Sequence, residues 1–388
     1  MSLLLLLACD ETVYGTGPEI FDEPIEHDGD DWLFSTSRIN RIDVELDGDA
    51  LEILRAERRF SYPRQKVRGQ ATIDGEELGD VGVRLRGGLG SFASIDDKPK
   101  LELDLNHYSG ERFHGLESLS LNNSAEGCLA IGEAVAYAAY ELAGVFSSRT
   151  GWAQLFVNGA DYGLMLVVET QDDRWLRRNF ADGSGNFYDG KYVFSGFWPT
   201  RVDFGLGRDH WFDLEEGEDV GFADIGQISA GVLRAQETGR IGESFEARVD
   251  WEEIVTLMQV EDWTNNGDGY TSMPNNYRVY FEPGRPMVMS PWDTDDAFLV
   301  ELDEEDAEWS EPAGNLGQVC LADPGCSEIW DVLGAEVDEA LGDGTLYELA
   351  LVLADLTEEG LVGDPRRQCG AARVESEQEA LLEFLADR

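Results

Sequence analysis

The stretch Asp268-Gly269-Tyr270, Asn276-Tyr277 and Pro291-Trp292-Asp293-Thr294-Asp295 constrains this chain more than any other. Within 28 residues it sets out an acid in a Gly-flanked turn, an amide opening an apolar run, and a carboxylate pair after a second run. The runs Asn276 to Phe281 and Pro286 to Ser290 surround Pro283-Gly284 and read as a β-hairpin.

Similar signals organise the rest of the chain. Arg38 to Leu46 alternates apolar and polar residues, as a half-buried strand does, and Asp47 to Arg59 then takes helical spacing. Gln65 to Ile73 and Gly82 to Leu85 read as strands about Asp74-Gly75, and Leu101 to Leu105 alternates again. Ile131 to Ala143 is an amphipathic helix closed by Gly144. Trp152 to Val157 and Gly163 to Glu169 form a second hairpin signal around Asn158-Gly159, followed by a helix over Asp172 to Phe180. Residues 181–219 read as irregular. Helices are expected near 222–238, 250–266, 325–342, 345–356 and 365–387, with a cysteine loop before the third of these. Strands dominate early and helices late, which predicts an α+β protein of two lobes.

Composition bounds the partners. The formal net charge of -50 is spread over the whole chain, which disfavours nucleic acid and anionic lipid. An enzyme of phosphorylated substrates with this charge needs local basic residues and a divalent metal. The N-terminus runs through five leucines to Ala8-Cys9, like a bacterial lipoprotein signal with Cys9 as the lipidated residue, although the basic leader is absent. On that reading residues 1–9 are a signal segment, 10–35 a polar tether, and Cys9 the one membrane attachment. A chance apolar N-terminus is the alternative. The remaining cysteines are Cys128, Cys320, Cys326 and Cys369. Cys320 and Cys326 enclose an Asp-Pro-Gly loop and are the favoured pair, which leaves Cys128 with Cys369; free buried thiols are the alternative.

An acid that takes a proton, an amide and an acid that bind metal are what phosphoryl transfer from a nucleotide requires. Asp268, Asn276 and Asp293 stand in that order, with Asp295 beside the last. Each also has a plainer reading. Asn-Gly-Asp-Gly makes an ordinary turn, and the Asp293-Asp295 pair could be a structural Ca²⁺ loop. Lys98 follows a Gly-containing segment and is a candidate phosphate ligand, with Lys100 the competing choice. Arg84 and Arg86 share one strand face and could add phosphate contacts; surface arginines are the bland version. Glu133 opens the amphipathic helix, where it either pairs with Lys98 or favours the helix dipole. Glu169 ends an apolar strand at the point where a linker between lobes would meet an adenine base. No GxSxG, HExxH or Walker A pattern occurs, which argues against those hydrolase, metalloprotease and P-loop chemistries.

Taken together these segments resemble the CotH family of spore-coat kinase-like proteins. The resemblance is carried by Arg84-Leu85-Arg86-Gly87-Gly88, Lys98-Pro99-Lys100, Leu103-Asp104-Leu105-Asn106, Phe113-His114-Gly115-Leu116 and Leu119-Ser120-Leu121-Asn122-Asn123. Glu133-Ala134-Val135-Ala136-Tyr137, Val157-Asn158-Gly159, Tyr162-Gly163, Val168-Glu169 and the Asp268-to-Asp295 stretch complete it. It spans roughly residues 38–300. The family often has His before the amide, and here Asn275 takes that place.

The resemblance implies an atypical protein-kinase-like fold over 36–300, with a strand-rich N-lobe over about 36–168 and a helix-rich C-lobe from about 170. Residues 301–388 would be a helical extension. It implies an extracytoplasmic kinase of the bacterial cell envelope that uses ATP with Mg²⁺ or Mn²⁺ on Ser or Thr of a secreted or surface protein. Asp268 would be the base, and Asn276, Asp293 and Asp295 would hold metal. Lys98, Arg84, Arg86, Glu133 and Glu169 would serve the nucleotide. The alternative is a surface binding or adhesive protein that keeps the fold and binds Ca²⁺.

Overall fold

The computed structural model describes residues 29–61, 63–88, 90–124, 128–190, 193–195, 198–299 and 312–388. The expected signal segment with Cys9, and residues 10–28 of the expected tether, lie outside them. The end of that tether is not loose polar chain. Asp31–Phe34 forms a single 3₁₀ turn that buries Leu33 and Phe34.

The first half is built on β1 (Ile39–Glu45), α1 (Gly48–Ala56), β2 (Lys66–Ile73), β3 (Glu76–Leu85), β4 (Leu101–Asp104), β5 (Ser118–Asn122), α2 (Gly132–Leu142), β6 (Thr150–Val157) and β7 (Ala160–Glu169). The strands close into a barrel in the order β1-β2-β3-β4-β5-β7-β6. Neighbours are antiparallel except β1 and β6, which pair in parallel and seal it. Alternation explains the closure. Ile42, Val44, Ile73, Val83, Leu103, Leu121, Leu155 and Val167 fill the interior, and their period of two sends the intervening residues outward. Register aligns Arg84, Glu102 and Ser120 across β3, β4 and β5 on that outer face.

Part of the outer face is itself buried. Trp152, Leu164, Leu166 and Val168 pack with Val135, Ala139 and Tyr140 of α2 in a second core that continues into the helical half. Two apolar faces on one stretch of sheet explain why β7 reads as a near-continuous apolar run.

The second half follows with α3 (Asp173–Asn179), β8 (Asn186–Gly190), β9 (Val193–Ser195), β10 (Trp198–Thr200), β11 (Asp213–Glu216), α4 (Ala223–Thr238), α5 (Gly242–Phe245), α6 (Trp251–Trp263), β12 (Tyr277–Phe281), β13 (Val288–Pro291), α7 (Asn315–Ala322), α8 (Pro324–Leu341), α9 (Thr345–Gly363) and α10 (Ala371–Asp387). The irregular reading of 181–219 is corrected here. β8 and β11 join β12 and β13 in a sheet ordered β11-β8-β12-β13, while β9 and β10 pair with each other. β8 escaped the sequence reading because four of its five residues are buried, so no alternation marks it. The cysteine loop is likewise corrected. Cys320 lies in the last turn of α7 and Cys326 in the first turn of α8, and the first residue of α7, Asn315, is held by Asp203 Oδ2 and Phe204 O.

Both expected disulfides form. Cys320 bonds Cys326, and Cys128 bonds Cys369 across 241 residues of sequence. The second ties the loop before α2 to the segment before α10. The chain is thus a mixed α+β protein. No described helix is long and apolar enough to cross a membrane.

Candidate functional site

The loop that carries Asp268 is moulded on a buried carboxylate. Glu261, near the end of α6, accepts the N–H groups of Tyr270 (2.9 Å) and Thr271 (2.6 Å) and the Thr271 hydroxyl (2.5 Å). A carboxylate with several donors can hold a short loop in one shape without a long core beneath it. Burial still pushes Glu261 up to about 7, against the pull of Thr271 and Tyr270.

The β12–β13 hairpin then brings the amide to the acids. Tyr277 pairs with Pro291, and the Trp292 N–H donates to Asn276 O at 2.9 Å. Antiparallel register therefore sets Asn276, just before β12, against Asp293, just after β13. Asn276 Nδ2 donates to Asp293 O at 3.3 Å and to Asp268 Oδ2 at 2.9 Å, and Asn275 Nδ2 donates to that same Oδ2 at 2.9 Å. Both Asn276 and Asp293 take the left-handed backbone conformation, at φ 51° and 49°. Such residues occupy a costly region of backbone space, and they cluster at sites the surrounding fold over-determines.

The barrel supplies the other half. Lys100, at the head of β4, is 2 % exposed and donates to Asp293 Oδ1 (2.9 Å) and Asp295 Oδ2 (2.6 Å). Asp293 keeps 28 % of its side chain exposed and Asp295 12 %. From α2, Tyr137 Oη accepts the Asp293 N–H at 3.0 Å. Also on α2, Glu133 accepts Asn122 Nδ2 at 2.7 Å. A polar chain runs behind it. Arg86 Nη1 donates to Ser120 Oγ, and Ser120 Oγ donates to Asn122 Oδ1.

Charge within this cluster is strongly coupled. Burial opposes charge on Lys100, but Asp293, Asp295 and Glu133 together hold its pKa above the usual lysine value. Burial works against Asp293 too, yet Lys100 and Arg86 keep it below the ordinary carboxylate range. Burial and the neighbouring Asp293 push Asp295 well up. Glu133 is raised to about 7 by burial, with Lys100 pulling the other way. Asp268 also rises to about 7, first by burial and then by Asp296, while Asn275 pulls it down.

The expected residues sort into two groups. Asp268, Asn276, Asp293 and Asp295 meet, and Glu133 and Arg86 lie behind them. Lys98 does not join them. Its Nζ is buried against Asp364 Oδ2 at 2.6 Å, so the lysine at the acids is Lys100, the competing choice. Glu133 takes its hydrogen bond from Asn122 rather than from Lys98. Arg84 is paired with Glu102. The Glu169 side chain is also spoken for, because Arg149 (2.7 Å) and Arg178 (2.6 Å) both bind it in a buried network that includes Asp30. The guanidinium groups of Arg86 and Arg278 both lie over the Trp292 ring, 4.9 and 4.1 Å from its centroid. Sequence reasoning passed over Asn122, Tyr137 and Asp364. The first two were visible inside the motifs Leu119-to-Asn123 and Glu133-to-Tyr137, but nothing in their spacing gave them a role. Asp364 left no sequence signal at all.

Among the described residues, no group of three or more His, Cys, Asp or Glu converges as a metal site. Among the described residues, the Asp293 and Asp295 carboxylates stand beside the side-chain amide of Asn276. That donor set fits Mg²⁺ or Mn²⁺, which take one or two carboxylates and complete their shell with phosphate oxygens and water.

No curated protein matches the chain. Among solved structures, the HipA, HipB and operator DNA complex of the Shewanella oneidensis MR-1 toxin–antitoxin system aligns at 14 % identity with a TM-score of 0.29, over 78 % of this chain and 66 % of that one. The family model described as CotH kinase protein matches residues 83–388. The match begins inside the barrel and runs to the last residue. Residues 301–388 fall within the matched region. With most of its length covered, the chain belongs to the CotH kinase protein family.

Proposed function

We propose that this chain is a metal-dependent protein kinase that passes the ATP γ-phosphoryl group to a Ser or Thr hydroxyl of a secreted or surface protein. The observation that carries the reading is the meeting of Lys100 from the barrel with Asp293 and Asp295 from the hairpin, beside the Asp268–Asn276 pair. A barrel-borne lysine opposed to hairpin-borne acids is what a nucleotide bound between two lobes would need.

The residues divide the work as follows. Asp293 and Asp295 carboxylates and the Asn276 amide would hold Mg²⁺ or Mn²⁺, which neutralises phosphate charge when bound. Lys100 and Arg86 bring cationic donors to the phosphate oxygens. Glu133 helps keep Lys100 charged. Asp268 accepts the proton of the acceptor hydroxyl as its oxygen bonds to the γ-phosphorus. The bond from that phosphorus to the β–γ bridging oxygen breaks, and ADP leaves. Asn275 and Asn276 fix the orientation of the Asp268 carboxylate. Two disulfides support an oxidising compartment outside the cytoplasm.

Asp268 makes the proposal testable by pH. A general base works deprotonated, and its pKa is raised to about 7. Phosphate incorporation at saturating ATP should therefore climb with pH through about 7 and level off above it. Asp268→Asn should lower the plateau by about 10²–10⁴-fold, the usual worth of a positioned base. A plateau unchanged in Asp268→Asn would remove Asp268 from the reaction.

A further inference from the structure

Lys98 and Lys100 leave the chain two residues apart, yet they have opposite fates. Lys100 enters the carboxylate pair, and Lys98 is captured by a segment that arrives from the far end of the chain. That segment, residues 364–369, grips the Lys98 region at every level. The Asp364 carboxylate takes the Lys98 ammonium at 2.6 Å, and Gln368 Nε2 donates to Lys98 O at 3.3 Å. Arg366 donates to Asp96 O (2.6 Å), Asp97 O (2.7 Å) and Asp161 O (3.1 Å) and lies 3.6 Å from the Tyr162 ring centroid. Cys369 closes the segment by bonding Cys128.

The fit is close. The Asp364 carboxylate lies directly over Gly163, which has φ 86°, and any Cβ there would collide with it. On the barrel side, Asn123 Nδ2 also donates to Lys98 O, at 2.7 Å. The backbone two residues ahead of Lys100 is thus clamped from both sides. Only Pro99 separates the clamped residue from the one that meets Asp293 and Asp295.

We infer that residues 364–369 are a strap that positions Lys100, with Asp364, Arg366 and Gln368 as positioning residues. Asp364 selects which lysine serves the acids by holding Lys98 out of the site. The strap also sets the depth at which β4 presents Lys100. Its consequence for nucleotide rests on the function proposed above; its consequence for Lys100 does not.

The chain has four lysines, Lys66, Lys98, Lys100 and Lys191, so each can be followed separately. The test is acylation of the full chain with a small amine-reactive ester, read by peptide mass spectrometry, with Lys66 as the internal reference. It compares wild type, Asp364→Asn and the double variant Arg366→Ala/Gln368→Ala, well below their unfolding temperatures. The double variant removes one half-buried side chain, Arg366, and one exposed one, Gln368, so it keeps the test alive where Asp364→Asn fails to fold. Lys100 labelling should rise about tenfold relative to Lys66, and KM for ATP should rise with kcat little changed, because a displaced cation weakens phosphate binding first. Unchanged Lys100 labelling in the folded variants would overturn the strap. A labelling rise in a protein that binds no ATP would support the strap and count against the nucleotide reading alone.

Discussion

Lys100→Met should lower ATP affinity by at least about 100-fold, or roughly 2.7 kcal/mol, and the same change should make stability depend on pH. Lys100 is the buried cation between Asp293 and Asp295. Without it two carboxylates face each other in a poorly solvated site, and breaking a buried ion pair from one side costs about 3–5 kcal/mol. The protein can relieve that cost by protonating Asp295, whose pKa already lies well above the usual range through burial and Asp293. The direction follows from the proton count. A carboxyl with a raised folded-state pKa holds its proton in the native state at pH values where the unfolded chain has lost it. Stability then falls as pH rises from about 4 towards that raised value. Urea unfolding of Lys100→Met should show a smaller deficit at about pH 5 than at about pH 8. Equal deficits at both would mean that the charge on Lys100 is not what the acids require.

Loss of the Cys128–Cys369 bond should cost more than any surface substitution. The bond closes 241 residues of sequence. On the chain-entropy account a loop of that length is worth about 5 kcal/mol, an upper figure because engineered losses commonly fall short of it. Cys128→Ser/Cys369→Ser should lower the unfolding temperature by on the order of 5 °C or more. Cys320→Ser/Cys326→Ser, which opens a separation of only 6, should lower it less. The reverse ranking would show that the long loop is already constrained in the unfolded chain.

The fold was legible where one face of an element is buried and the other wet. β1, β2 and α2 all lie where alternation or helical spacing put them, within a residue or two at each end. The β12–β13 hairpin was marked by Pro283-Gly284 between two apolar runs. Legibility failed where burial is complete or pairing distant. β8 carries no alternation, and closure of the barrel rests on β1 meeting β6, a contact that no local pattern announces.

The site divides the same way. Asp268, Asn276, Asp293 and Asp295 are close in sequence, and their order together with the family resemblance singled them out. Choosing between Lys98 and Lys100 was beyond the sequence, since both follow the same glycines. Asp364 decides between them, and it stands 266 residues from Lys98. A selection made at that distance is a property of the folded chain alone.

On the proposed function, Asp293 forms a nucleotide phosphotransfer site with Lys100 and Asp268. Its most direct test is ATP with Mn²⁺ titrated into purified wild type, Asp268→Ala and Asp293→Ala, with phosphate incorporation measured in the same samples. Wild type should bind nucleotide in a metal-dependent way and incorporate phosphate. Asp268→Ala should still bind but incorporate at least about 100-fold less, and Asp293→Ala should lose metal-dependent binding and incorporation together. No nucleotide binding by wild type, or equal incorporation by all three, would contradict it and leave a binding protein on a kinase-like fold.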